Sequence, residues 1–293
     1  MSVMPYEGFE TEQVGADGVS VNVVHGGAGS PLLLLHGYPQ TQVMWHRVAP
    51  LLAERFTVVV PDLRGYGDSS KPPGGADHAA YSKRTMAEDQ VEVMRALGHE
   101  RFAVAGHDRG GRVGYRMARD HPGRVTRLAV LDIVPTDTVY ASTSRELATA
   151  YFHWFFLIQP FDLPERLIRS DPIAYLHTML EGKSSGLGAF ELEALREYER
   201  CFSDPAAIHA SCEDYRAAAS IDLAHDEEDR GRRLSCPLLV LWGSRAPMHR
   251  LYDVLDTWRE RADDVQGHAL DCGHYLAEEL PDETAAALAR FFA

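Results

Sequence analysis

Cysteine is scarce: Cys201, Cys212, Cys236 and Cys272 are the only four in 293 residues, and none belongs to a Cys-x-x-Cys pair. That excludes a disulfide scaffold, and the four are read as ordinary reduced thiols. Positive charge is also in deficit. Against 43 acidic residues stand 29 lysines and arginines, a net charge of -14. Nucleic acid or an anionic membrane would be repelled by such a chain, and neither is expected as a partner. An anionic small molecule is still allowed, provided that local cations hold it. No apolar run approaches the 18 or so residues of a membrane span. The most apolar stretch, "YFHWFFLI" at 151–158, is too short and is broken by His153. The opening "MSVMPYEGFE" has neither the basic nor the apolar region of a secretory leader, so a cytoplasmic location is expected. Internal repeats and low-complexity tracts are absent as well.

What is present is alternation. Short apolar runs ended by turn residues occur at 19–26, 31–37, 56–62, 101–107 and 127–135, and several are continuously apolar, as strands covered on both faces require. Between them "TMAEDQVEVMRAL" and "GRVGYRMARDHP" carry helical spacing, which predicts βαβ units and a mostly parallel sheet. From 136 to 235 no strand candidate occurs, while "ELEALREYERCF" and "PAAIHASCEDYRAAA" read as helices. The sheet pattern resumes at "CPLLVLWG" (236–243), followed by a helix candidate "LYDVLDTWRERA", a strand candidate "DVQGHAL" and a last helix "DETAAALARFF". The expectation is an α/β core formed by 1–135 and 236–293, split by a helical cap over 136–235.

The strand ending in "RFAVAGH" runs into Gly106-His107-Asp108-Arg109-Gly110 and then a helix. A Gly-x-nucleophile-x-Gly turn in that setting exposes one side chain above the sheet, although two glycines around a polar residue also suit an ordinary turn. Three further segments support the first reading. "LLLLHGYPQ" sets His36, Gly37, Tyr38 and Pro39 after a strand, where a backbone N–H can hold an oxyanion. "LDCGHYLAEE" sets His274 between a strand and the last helix, the place of a catalytic base. For the carboxylate that orients the histidine, "LWGSRAPMHR" offers no acid before Asp253, inside a helix candidate, so Asp132 in "AVLDIVPT" is preferred.

An aspartate in the nucleophile position limits the chemistry. Attack of a carboxylate on a carboxylic ester gives an anhydride and gains little, whereas attack on saturated carbon gives an alkyl ester that water can cleave. Asp108 therefore points to displacement at sp3 carbon, the leaving group being a halide or an epoxide oxygen. His274 would then activate water, with the backbone N–H groups of Tyr38 and Arg109 receiving the oxyanion. Arg109 and Arg112, one helical turn apart, would suit a small carboxylate substrate. Arg112 also reads as a helix-surface residue, and Arg109 as half of an internal salt bridge.

At these residues the chain resembles the fluoroacetate (haloacetate) dehalogenases of the α/β-hydrolase superfamily. The likeness runs through "LLLLHGYPQTQVMWHRVAP", "GHDRGGRVGYRMARDHP", "LAVLDIVPT", "FHWFFLIQP", "CEDYRAAASID" and "CGHYLAEELPDET". It implies an eight-stranded, mostly parallel α/β-hydrolase sheet with a helical cap, working as a homodimer on a small haloacid, without metal or organic cofactor. It also implies Asp108 as nucleophile, Asp132 and His274 as its partners, Arg109 and Arg112 on the substrate carboxylate, and a halide pocket from His153, Trp154 and Tyr215. Without the resemblance, Trp154 reads as cap core and Tyr215 as a helix-face residue. One position departs from the family. In "GKSSGLGAF", Lys183 stands where many members have a tryptophan, which implies a wider or more cationic pocket unless the lysine lies in an exposed, shifted loop. Two other readings remain: an epoxide hydrolase using cap tyrosines (Tyr140, Tyr151, Tyr175, Tyr198), and a non-catalytic module binding small carboxylates. A serine esterase is the least favoured reading, since the elbow has neither Ser nor Cys.

Overall fold

Leu32 to Leu35 are wholly buried, as is every residue from Val58 to Val60, because the strands that carry them are covered on both faces. The computed structural model describes Tyr6 and residues 8–293; residues 1–5 and Glu7, part of the opening stretch scanned for a leader, lie outside the described residues. Eight strands form one sheet: β1 (Glu10–Ala16), β2 (Val19–Gly27), β3 (Ser30–Leu35), β4 (Phe56–Pro61), β5 (Phe102–His107), β6 (Val125–Leu131), β7 (Leu238–Gly243) and β8 (Val265–Leu270). Their order is β1-β2-β4-β3-β5-β6-β7-β8. The pairs β1/β2 and β2/β4 are antiparallel and the remaining five are parallel.

Helices Lys83–Ala96 and Arg109–Asp120 fall on the expected segments, as do Leu192–Phe202, Pro205–Ala218 and Pro281–Phe292. Between β6 and β7 the described residues form helices, from Thr136–Ala141 to Ile221–Glu228, and no named strand. This block covers the carboxyl ends of β3, β5 and β6, where open α/β sheets bind their ligands.

Two expectations of secondary structure are corrected, and one strand was missed. The apolar run at 127–135 stops being a strand at Leu131, because Asp132 has φ 51° and turns the chain out of the sheet. The helix expected at 251–262 is interrupted. Helix Pro247–Leu251 ends at an extended Tyr252, and Asp253 starts Val254–Arg259 afresh by accepting the Asp256 N–H at 3.0 Å. β1 escaped the sequence reading altogether. It is an edge strand whose first four residues are exposed, so it has no apolar run to detect.

Candidate active site

Asp108 stands between β5 and helix Arg109–Asp120 with φ 45° and ψ −113°, a conformation that a side-chain-bearing residue adopts only where its surroundings impose it. The surroundings are backbone. A Cβ on Gly106 would collide with the Gly110 carbonyl, and one on Gly110 with the His36 carbonyl, so both elbow glycines are required by close approach. Asp108 is buried, and its Oδ2 accepts the Tyr38 N–H at 3.1 Å. Burial alone would raise its pKa, but the buried Arg109 and Arg112 guanidiniums outweigh that and hold it below the ordinary carboxylate range. It is ionised at neutral pH.

The turn after β6 delivers Asp132 and the loop after β8 delivers His274. Asp132 Oδ1 accepts the Gly243 N–H at 3.0 Å, and Oδ2 lies 2.6 Å from His274 Nδ1. The carboxylate therefore keeps the imidazole proton on Nδ1, and Nε2, which has no partner among the described residues, is left as an acceptor. Burial, assisted by the charge of Lys183, holds the His274 imidazole neutral, and burial also raises the Asp132 carboxyl above its usual range. A neutral imidazole with a free Nε2 is what a general base requires. Its backbone is held from two sides: His274 N–H donates to the Lys183 carbonyl at 2.7 Å, and its carbonyl accepts from His107 Nε2 at 2.8 Å.

The two arginines are both buried, and Arg112 is no surface residue. The Arg109 guanidinium binds Asp214 through Nε, at 3.1 and 3.2 Å to the two carboxylate oxygens, and through one terminal nitrogen; the other, Nη1, is unpartnered among the described residues. Asp214 is shared. Lys83 and the Tyr66 hydroxyl, the latter at 2.6 Å, also donate to it. Burial would neutralise Arg109, but Asp214 outweighs it and keeps the cation. Arg112 donates through Nη1 to the Val134 carbonyl at 2.9 Å and to Thr136 Oγ1 at 3.0 Å, leaving Nε unpartnered. Above the guanidiniums lie aromatic faces: Arg109 over Tyr215 at 4.2 Å and Arg112 over Trp154 at 4.6 Å.

His153, Trp154 and Tyr215 come together although 61 residues separate Trp154 from Tyr215 in the chain. Tyr215 meets His153 and Trp154 edge-on at 5.6 and 5.9 Å between ring centroids. Its hydroxyl, fully buried, has no partner among the described residues, and burial holds it as the protonated phenol. Lys183 is buried, not an exposed loop residue, and its Nζ is 3.1 Å from His153 Nε2. Among the described residues no cluster of three or more His, Cys, Asp or Glu has metal-holding geometry.

The sequence reading missed Asp214, although a signal existed. On helix Pro205–Ala218 it lines up at helical spacing with Ala207, Ala210, Ala217 and Ala218, all buried, so a carboxylate sits within an apolar stripe. Lys83 and Thr136 left no comparable mark.

The α/β hydrolase fold family matches residues 30–281. A fluoroacetate dehalogenase from Burkholderia sp. is 50% identical over 98% of this chain and 94% of its own length. The chain belongs to the fluoroacetate dehalogenase family of α/β hydrolases. Family membership does not stand apart from its neighbours, since a soluble epoxide hydrolase from Corynebacterium sp. (strain C12) is 37% identical over 94% of the chain and 95% of its own. A solved α/β hydrolase structure from Nostoc sp. PCC 7120 superposes with a TM-score of 0.97, at 59% identity, covering 98% of this chain and 99% of that one.

Proposed function

We propose that this hydrolase converts 2-haloacetates to glycolate and halide. Arg109 Nη1 and the Arg112 guanidinium bind the substrate carboxylate, which brings the adjacent carbon to Asp108. A carboxylate oxygen of Asp108 forms the new C–O bond as the carbon–halogen bond breaks and its electron pair leaves with the halide. The His153, Trp154 and Tyr215 N–H and O–H groups replace the water that the halide would have in solution. His274 Nε2 then takes a proton from water, which attacks the ester carbonyl of Asp108 while the N–H groups of Tyr38 and Arg109 hold the oxyanion. The intermediate collapses as His274 returns its proton to the leaving glycolate oxygen, and the acid proton left on Asp108 passes to solvent, which restores the carboxylate.

The observation that carries this reading is an ionised aspartate at the elbow with two buried guanidiniums beside it. A neutral epoxide gives no reason for that charge. The competing epoxide reading is favoured by the buried, unpartnered hydroxyls of Tyr140, Tyr151 and Tyr215, any of which could protonate an alkoxide. Side-by-side turnover of fluoroacetate, chloroacetate and a styrene-oxide-type epoxide tests both. Many equivalents of halide per enzyme support the first; epoxide opening without halide release rejects it, and a single equivalent or none revives a carboxylate-binding module. The same reading carries a cytoplasmic homodimer, which sedimentation of the purified protein tests.

A further inference from the structure

Lys183 has no role in the reaction just described, yet its side chain is buried against His153, one of the proposed halide-pocket residues. It is 8% exposed, and among the described residues it forms no ion pair with a carboxylate. Its one hydrogen-bond partner among them is His153 Nε2 at 3.1 Å, and its Nζ also lies 5.5 Å from the centre of the Tyr151 ring. A buried ammonium without a carboxylate at hand is costly, and such groups are kept where an anion arrives during function. His153 in turn stacks on Tyr38 at 6.1 Å and meets Tyr215 edge-on, so the lysine joins the cluster of donors under the cap.

We propose that Lys183 and His153 act as one cationic donor unit for the departing halide, and that this unit favours fluoride over larger halides. The inference rests on the haloacetate reading above. An ammonium N–H donates to His153 Nε2, so the imidazole carries its own proton on Nδ1, which is buried and unpartnered among the described residues. The positive charge strengthens that N–H as a donor. As Asp108 closes the C–O bond, the carbon–halogen pair moves onto the halogen, which leaves as an anion; no proton is transferred. Fluoride is the stronger hydrogen-bond acceptor of the two, so it gains more than chloride does from an N–H that the Lys183 charge polarises. Neutral N–H and O–H donors serve the larger, more diffuse chloride adequately.

The electrostatics agree with a charged lysine. Burial lowers its pKa to about 8, opposed by Asp108 and Asp132, so the ammonium persists at neutral pH. Lys183 also fixes the catalytic loop through its carbonyl, which receives the His274 N–H. That contact belongs to the backbone and survives side-chain substitution.

The aspartyl ester is the same species from either haloacetate, so any effect of Lys183 on its hydrolysis by His274 is common to both. kcat/KM stops reporting once the halide has left, and it isolates the step in question. The test measures kcat/KM on fluoroacetate and chloroacetate for wild type, K183M and K183R, each checked for native circular dichroism. For K183M the expected result is a loss of about tenfold or more on fluoroacetate and less than about threefold on chloroacetate, with K183R restoring most of the fluoroacetate rate. Equal loss on both substrates, or no loss, overturns the role of Lys183 while leaving dehalogenation intact. Failure of wild type to release either halide overturns the underlying function instead. K183Q, which keeps a polar contact to His153 without the charge, substitutes if K183M does not fold; an unchanged fluoride-to-chloride ratio in K183Q again overturns the proposal.

Discussion

Asp108 combines a positive φ with a buried charge, and both cost stability that the catalytic role recovers only as activity. Asn has nearly the same shape, tolerates positive φ better and carries no charge. D108N is therefore expected to lose turnover entirely while its melting temperature equals or exceeds that of wild type. Halide release at a wild-type rate would remove Asp108 from the mechanism. His274 offers the complementary test. H274N keeps a side chain near Asp132 but has no imidazole to activate water, so ester formed on Asp108 should accumulate, visible as one carboxymethyl group added to the intact protein. Loss of activity without that adduct would mean that His274 acts before the ester forms. At this scale the sequence was informative, since Asp108, Asp132 and His274 were legible from motif position and chain order. Lys183 was not. Nothing in "GKSSGLG" distinguishes a loop lysine in solvent from one whose ammonium lies against a cap histidine.

The helix Pro205–Ala218 shows how one element can serve two sites. Tyr215 faces His153 and Trp154, and the neighbouring Asp214 holds Arg109 together with Lys83. Removing that carboxylate would leave the buried Arg109 cation uncompensated and Lys83 with Asp222 alone, 3.6 Å away, at a cost of about 3–5 kcal/mol. D214N is accordingly expected to lower the melting temperature markedly and to raise KM for haloacetate more than it lowers kcat, because Arg109 loses its orientation while Asp108 and His274 keep theirs. Kinetics indistinguishable from wild type would show that Arg109 is positioned by its aromatic neighbours alone. Elements were legible where periodicity expressed burial, as in the leucine run of β3. They were missed where burial was one-sided or absent, as in β1, and misjoined where a cap such as Asp253 restarted a helix inside a continuous apolar pattern.

Across the whole molecule, buried ionisable groups set the response to pH. Desolvation pushes His36 and His107 down to about 4 and 3. The unfolded chain binds their protons below pH 6.5 and the fold does not, so they destabilise the fold increasingly as pH falls from there. Desolvation likewise pushes Asp62 and Asp226 up to about 6 and Glu278 to about 8. The unfolded chain ionises these from about pH 4 upward while the fold keeps the proton, so stability falls with rising pH until each folded value is passed. The two sets oppose each other below pH 6.5, and above it Glu278 lowers stability until Lys183, with a folded value of about 8, begins to oppose it. The melting temperature should therefore decline between about pH 6.5 and 7.5. E278Q retains an acceptor oxygen for Tyr198 and Gln40, and should flatten this decline, stabilising the fold at pH 8 by on the order of 1–3 kcal/mol. A slope unchanged in calorimetry would place the titration elsewhere.

The division between what the chain encodes locally and what folding decides follows from the range of the forces involved. Strand and helix periodicity, the glycines that allow the elbow, and the replacement of a hydroxyl by Asp108 are local properties, and the amino-acid sequence alone determined them. Which arginine is bound to which carboxylate, which phenol is left without a partner, and whether Lys183 meets water or His153 depend on contacts between residues 30 to more than 130 positions apart. Those contacts are electrostatic and strong only because burial removes the water that would screen them. The tertiary structure alone decided them.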